Sequence, residues 1–203
     1  DTNQIKESNP MVSSLIAREF NSITAENCMK SMFLHPEKDK FDFKMTDQFV
    51  AFGEKNKMFI HGHTLIWHSQ LAPWLTKIKD SVSMSEAMNN HITTIVKKYK
   101  GRIDSWDVVN EALNEDGTYG KEYLTNAFKL AAKADPKTDL YYNDYNLCNA
   151  KKRKGAVEMI KNLQKNGAKI DGVGEQGHWN LNSPTLEEIE KTILDFSELG
   201  LKV

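Results

Sequence analysis

Strand-like and helix-like segments alternate strictly along this chain, and that alternation constrains the fold more than any other feature. A chain built this way lays its strands parallel and covers them with the intervening helices. Asp1–Asn9 is polar and reads as a loop. Pro10 opens a helix with Val12, Leu15 and Ile16 on one face. A short strand over Phe20–Ala25 ends in Glu26-Asn27. After a loop with Pro36, Thr46-Asp47 caps a helix bearing Phe49, Val50 and Phe52. Lys57–Trp67 reads as a strand interrupted by His61, Gly62 and His63. Ser83-Met84-Ser85-Glu86 has the spacing of a capping box, with Met84, Ala87, His91, Ile95 and Tyr99 following at helical intervals.

Gly101 ends that helix, and Ile103–Leu113 begins the next strand. A Gly-containing loop leads to a helix with Leu124, Ala127, Phe128 and Ala131, stopped by Asp135-Pro136. Asp139–Tyr145 is a strand, Lys152–Lys165 a helix, and Ile170–Gln176 another strand. Ser183-Pro184 reads as a cap followed by proline at the first position of a helix with Leu186, Ile189, Ile193 and Phe196. Gly200 closes it, and Leu201-Lys202-Val203 reads as a strand just starting.

Polar residues recur at the carboxyl ends of the strands: Glu26-Asn27, His63, Asn110-Glu111, Asn143 and Gln176-Gly177-His178. One rim carrying them all is what a (β/α)8 barrel provides. An open doubly wound sheet is the alternative, but no GxGxxG or GxxxxGK[ST] loop follows any strand. The whole chain, residues 1–203, is expected to be one domain without a linker. Its 27 basic and 28 acidic residues balance to a formal charge of −1, which gives no reason to expect nucleic acid as a partner. Lys151–Lys154 reads as a solvated helix start. No apolar run approaches a membrane span, and two cysteines make no disulfide framework. The sequence begins at Asp1 without methionine, as a processed or excised piece would.

Three chemistries are open to such a rim. Serine nucleophile chemistry lacks its G-x-S-x-G elbow. His61 and His63 share one strand face, with His68 and His178 near strand ends, so a metal hydrolase is the second option. No acid lies at ligand spacing from that pair, and no metal or other cofactor is expected. Sugar chemistry is the third, because glycan sites combine flat rings, many amides and two carboxylates. Glu111 ends an apolar strand, where partial desolvation lets a glutamate hold a proton for a leaving group; capping of the next helix is the plainer role for it. Trp106, inside that strand, reads as core, whereas Trp67 precedes His-Ser-Gln and reads as a surface ring.

Five segments carry a resemblance: Phe20–Lys30 (Phe-Asn-Ser-Ile-Thr-Ala-Glu-Asn-Cys-Met-Lys), His61–Gln70, Trp106–Glu111, Tyr142–Asn146 and Ile170–His178. In this order and over most of its length, the chain resembles the family 10 endo-β-1,4-xylanases. The resemblance implies a (β/α)8 barrel that hydrolyses internal bonds of xylan or xylo-oligosaccharide with retention, outside the cell and without a cofactor. It implies Glu111 as acid/base and Asn110 as the group binding the 2-hydroxyl of the sugar being cleaved. Glu26, Asn27, Lys30, His63, Trp67 and Gln70 then hold sugars on the non-reducing side, and Tyr142 and Asn143 on the reducing side. Gln176 and His178 hydrogen-bond to the sugar and to the catalytic carboxylates.

The family's nucleophile is a Glu in a Thr-Glu-Leu-Asp type motif on the seventh barrel strand, which would begin at the end of this sequence. The chain is thus expected to supply roughly the second to sixth strands, lacking the first, seventh and eighth, and to need the remaining polypeptide as a partner. Glu26 and Glu175 are the candidates for a nucleophile within the chain. Strand alternation turns Glu175 away from the side that Gln176 faces. A non-catalytic, sugar-binding remnant is the alternative reading. The residues after Val203 decide between these. A glutamate in the following strand is expected, and a continuation with no acid able to face Glu111 would leave only a sugar-contacting shell.

Overall fold

The computed structural model describes residues 2–5, 10–120 and 123–203. The expected loop over Asp1–Asn9 falls partly outside the described residues, as does the end of the loop that precedes Tyr123.

One parallel sheet organises the chain. Its strands run β1 (Ser22–Thr24), β2 (Phe59–Gly62), β4 (Ser105–Asn110), β5 (Asp139–Asp144) and β6 (Gly172–Glu175), with β3 (Ile66–Trp67) pairing separately with β4. Spatial order equals chain order, with no reversal. A doubly wound sheet reverses at a switch point, so this order belongs to an arc of a (β/α)8 barrel. Beyond β6, Lys202 pairs in parallel with Gly172: its N–H donates to Asp171 O and its carbonyl accepts from Val173, both at 2.9 Å. The strand expected at Leu201–Val203 therefore starts where barrel closure would continue.

Helices cover the outer side. They are α1 (Pro10–Glu19), the short α2 (Ser31–Leu34), α3 (Lys44–Lys55), α4 (Ser81–Lys98), α5 (Leu124–Ala134), α6 (Ala150–Lys165) and α7 (Leu186–Ser197). Ile92, Ile95 and Val96 of α4, Phe128 and Ala131 of α5, and Met159, Ile160 and Leu163 of α6 are all buried. They pack with Ile60, Trp106, Leu140 and Val173 of the sheet into one core. Trp106 is buried as expected, and its ring fills the space that a side chain at Gly62 would need. Every residue of β4 is buried, as a central parallel strand with both faces covered requires. The helices at the two ends of the order differ: α1 buries none of its residues, and α7 buries only Thr192 and Phe196.

Several local expectations are corrected, most of them at helix starts. α3 starts at Lys44, ahead of the expected cap, with Phe43 at its N-cap and no side-chain cap; Thr46 is buried and donates to Cys28 O at 2.8 Å. Asp80 accepts from Ser83 N at 2.7 Å, so α4 begins ahead of the expected capping box. At α7 the reciprocal box joins Thr185 and Glu188, leaving Pro184 outside the helix. The expected strand over Lys57–Trp67 is two pieces, β2 and β3, broken at His63–Leu65. The Lys151–Lys154 run is not a solvated face either. Lys152 is fully buried, and Arg153 is buried while reaching Asp195 Oδ2 at 2.8 Å and Cys148 O at 2.7 Å.

The α6 helix lies hard against the turn after β4. A methyl at Gly155 would come within 2.2 Å of the Gly117 carbonyl oxygen, a backbone atom that cannot swing aside. Gly155→Ala in the complete polypeptide is expected to cost about 1–3 kcal/mol of stability through this overpacking. Urea unfolding measures it, and an unchanged midpoint would show that helix and turn are free to slide apart.

Candidate active site

The site is built where β4 leaves the sheet. Between Asp107 and Val109 the β4–β5 register slips by one residue: Asp107 faces Tyr141, Val109 faces Tyr142, and Asn110 faces Asn143. Strict alternation would have put Asn110 on the same side as Trp106 and Val108. The extra residue reverses that, so Asn110 shares the inner side with Asp107 and Asn143. Its Oδ1 accepts from Asn143 Nδ2 at 2.7 Å and from Gln176 Nε2 at 3.2 Å. Its Nδ2 is buried and has no partner, an uncommon state for an amide donor. Gly174 stands opposite Asn143, and a Cβ there would lie 2.3 Å from Asn143 Oδ1, so only glycine leaves that amide its place.

Glu111, the next residue, has φ of 55°. For a residue other than glycine this left-handed conformation costs roughly 1–2 kcal/mol. Its N–H donates to Asn143 O at 2.8 Å, and the Ala112 N–H donates to the Tyr142 hydroxyl at 3.1 Å. The half-buried carboxyl receives a donor on each oxygen: Trp67 Nε1 on Oε2 at 2.8 Å and Gln176 Nε2 on Oε1 at 2.9 Å. His178 Nε2 lies 3.0 Å from Gln176 Oε1, which fixes the Gln176 amide with its NH2 toward Glu111 and Asn110. Residues from three different segments of the chain thus converge on one glutamate.

On the other flank, Lys30 is buried, donates to Asn27 Oδ1 at 3.0 Å, and lies 5.0 Å from the centre of the Trp67 ring. Burial lowers its ammonium below the usual lysine value, against the upward pull of Glu26 and Glu111. Glu26 and Gln70 are exposed on the same flank. His63 Nδ1 and His61 Nε2 meet a single oxygen, Asp107 Oδ2, at 2.8 and 3.0 Å. Burial alone would push the Asp107 carboxyl up, but the two imidazoles that donate to it outweigh burial and hold it below the ordinary aspartate range. The acid absent from the His61-Gly-His63 stretch is therefore supplied by the neighbouring strand. Among the described residues, no group of three or more His, Cys, Asp or Glu could hold a metal ion.

Two expected residues need separate treatment. Tyr142 is fully buried on the outer side of the sheet, its hydroxyl donating to Asp144 Oδ2, so the expected direct sugar contact is corrected. The exposed ring on this flank is Tyr145, just past β5, which sequence reading passed over although a residue beyond the strand end is no longer bound by alternation. Glu175 accepts from Leu147 N at 2.7 Å and Gly177 N at 3.2 Å, so it ties loops together and does not face Glu111.

The profile of the family Glycosyl hydrolase family 10 matches residues 1–203. Endo-1,4-beta-xylanase A of Xylanibacter ruminicola is 41% identical over all of this chain and 59% of its own length. Endo-1,4-beta-xylanase B of Thermotoga neapolitana is 41% identical over 92% of this chain and 57% of its own. The chain thus spans about three-fifths of the length of these curated relatives. Among solved structures, native xylanase 10B from Thermotoga maritima superposes with a TM-score of 0.93 at 36% identity, covering 97% of this chain and 64% of that one. Sequence and fold agree, and the chain belongs to glycosyl hydrolase family 10.

Proposed function

We propose that this chain is the larger part of the catalytic barrel of a retaining endo-1,4-β-xylanase that cleaves internal bonds of xylan or xylo-oligosaccharides. The relatives' names support the substrate class. The observation that carries the chemistry is Glu111, oriented by Trp67 and Gln176 at the rim beside the unpaired amide of Asn110. In this reading Glu111 first gives a proton to the departing glycosidic oxygen, then takes one from the incoming water. Asn110 Nδ2 donates to the hydroxyl next to the reacting carbon. Glu26, Asn27, Lys30, His63, Trp67 and Gln70 line the non-reducing flank, and Asn143 and Tyr145 the reducing one. Gln176 and His178 complete the bridge between the two carboxylates.

The second carboxylate is proposed to lie in polypeptide beyond Val203, on the strand that Lys202 begins beside β6. There it can stand about 5–5.5 Å from Glu111, the separation that retention requires. A polymer too large to enter a cell supports a reading in which the enzyme works outside it. No helix among the described residues is long and apolar enough to cross a membrane.

The complete polypeptide is expected to release reducing sugar from xylan. Glu111→Gln should cut that release by about 10²–10⁴-fold. The loss should be much smaller for an aryl xyloside whose leaving group needs no proton. Equal losses on both substrates would remove the acid/base role, and no release by the unmutated polypeptide would leave a sugar-binding remnant. Prolonged dialysis against a chelator should leave the rate unchanged; a loss restored by zinc would instead reinstate His61 and His63 as ligands.

A further inference from the structure

The buried ammonium of Lys152 has no part in the chemistry above, yet it is tied to both ends of the reducing flank. Its Nζ lies 3.0 Å from Asp144 Oδ1, with both side chains fully buried, and 3.1 Å from Glu115 Oε1. It also lies 3.6 Å from the centre of the Tyr145 ring. Burial alone would lower its pKa, but Asp144 and then Glu115 outweigh that and hold the ammonium above its usual value. The other Asp144 oxygen accepts from the Tyr142 hydroxyl, which in turn accepts the Ala112 N–H. Burial and Asp144 raise the Tyr142 phenol well above its ordinary range, so it remains a donor to Asp144. A continuous path therefore runs from α6 to the peptide that follows Glu111.

We propose that Lys152 is a positioning residue that holds the acid/base loop in register, acting through Asp144 and the Tyr142 hydroxyl on the Ala112 amide. The inference rests on the assignment of Glu111 as acid/base. Glu111 sits in a left-handed conformation that its own residue type disfavours, so its neighbours must impose it. Asn143 holds the amide before the side chain, and the Lys152 path holds the one after it. Glu115 adds a second tether, because its other oxygen accepts from Asn146 at 2.7 Å, joining the loop after β4 to the loop after β5. Lys152 thus reaches both the loop after β4, at Glu115, and the end of β5, at Asp144.

The test uses the complete polypeptide with Lys152→Met, Lys152→Arg and Tyr142→Phe. Tyr142→Phe keeps the ring and leaves no charge unpaired, so it should fold even where Lys152→Met does not. Expected for Tyr142→Phe is a fall in kcat on xylo-oligosaccharide of about ten- to a hundredfold, as misplacement of a reacting group produces. The aryl xyloside that needs no proton should lose far less, and KM should change little. Faster amide exchange in the peptide containing Ala112, relative to β2, should accompany it. Lys152→Met, where it folds, should lose rate in the same way, and Lys152→Arg should lose less than Lys152→Met. A folded Tyr142→Phe with an unchanged ratio between the two substrates and unchanged exchange at Ala112 overturns the proposal. No turnover by the unmutated polypeptide would overturn the assignment of Glu111 instead, while the exchange measurement still reads the Lys152 path.

Discussion

Everything at the rim depends on how β4 ends. The strand is buried along its whole length, and a single register slip against β5 re-aims its last residues. With that slip, Asn110 points inward beside Asn143, and Glu111 follows in a conformation it would not choose alone. Four hydrogen bonds fix it: two on the flanking peptide N–H groups from β5, and two on the carboxyl oxygens from Trp67 and Gln176. Without the slip, alternation would carry Asn110 to the outer side and separate it from both amides that orient it.

The two faces of the sheet divide the buried charge between them. On the inner side, Asp107 gathers His61 and His63, with the Tyr141 ring edge-on to His61. On the outer side, Asp144 pairs with Lys152 between sheet and helix. A buried charge left single would be severely unfavourable, and each of these has an opposite or donating partner within hydrogen-bond reach. The inner cluster backs the flank that carries His63, Lys30 and Trp67, and the outer one backs the loop after Glu111. The site is therefore backed on both sides by paired buried charge, while the Asn110 amide between them keeps one donor unpaired.

Not every element is equally well supported. The helices in the middle of the order, α4 to α6, pack fully on the sheet, whereas Leu186 of α7 is 81% exposed and α1 buries nothing. Helical periodicity located the buried faces of α4 and α5, where Ile95, Ala127, Phe128 and Ala131 are covered. The faces read for α1 and α7 leave Leu15, Leu186 and Ile193 exposed, because periodicity reports only which residues could be covered. It does not report what covers them. Capping was read less well: Asp80 won the start of α4 from Ser83, three residues downstream, a contest between near-equal caps that local spacing cannot arbitrate, and α3 starts at Lys44 without a side-chain cap.

By itself the sequence determined the parallel sheet, the order of its strands and the presence of a polar rim with Asn110-Glu111 at its centre. Those features follow from apolar periodicity and strand ends, which are written in neighbouring residues. Tertiary structure alone decided the slip in β4, the meeting of His61 and His63 with Asp107, the burial of Lys152, and the exchange of Tyr142 for Tyr145 at the surface. Each of these is set by a partner on another strand or helix, mostly some thirty to forty residues away along the chain. A charge or a ring looks the same in sequence whether its partner is water or a buried ion, and only packing distinguishes the two.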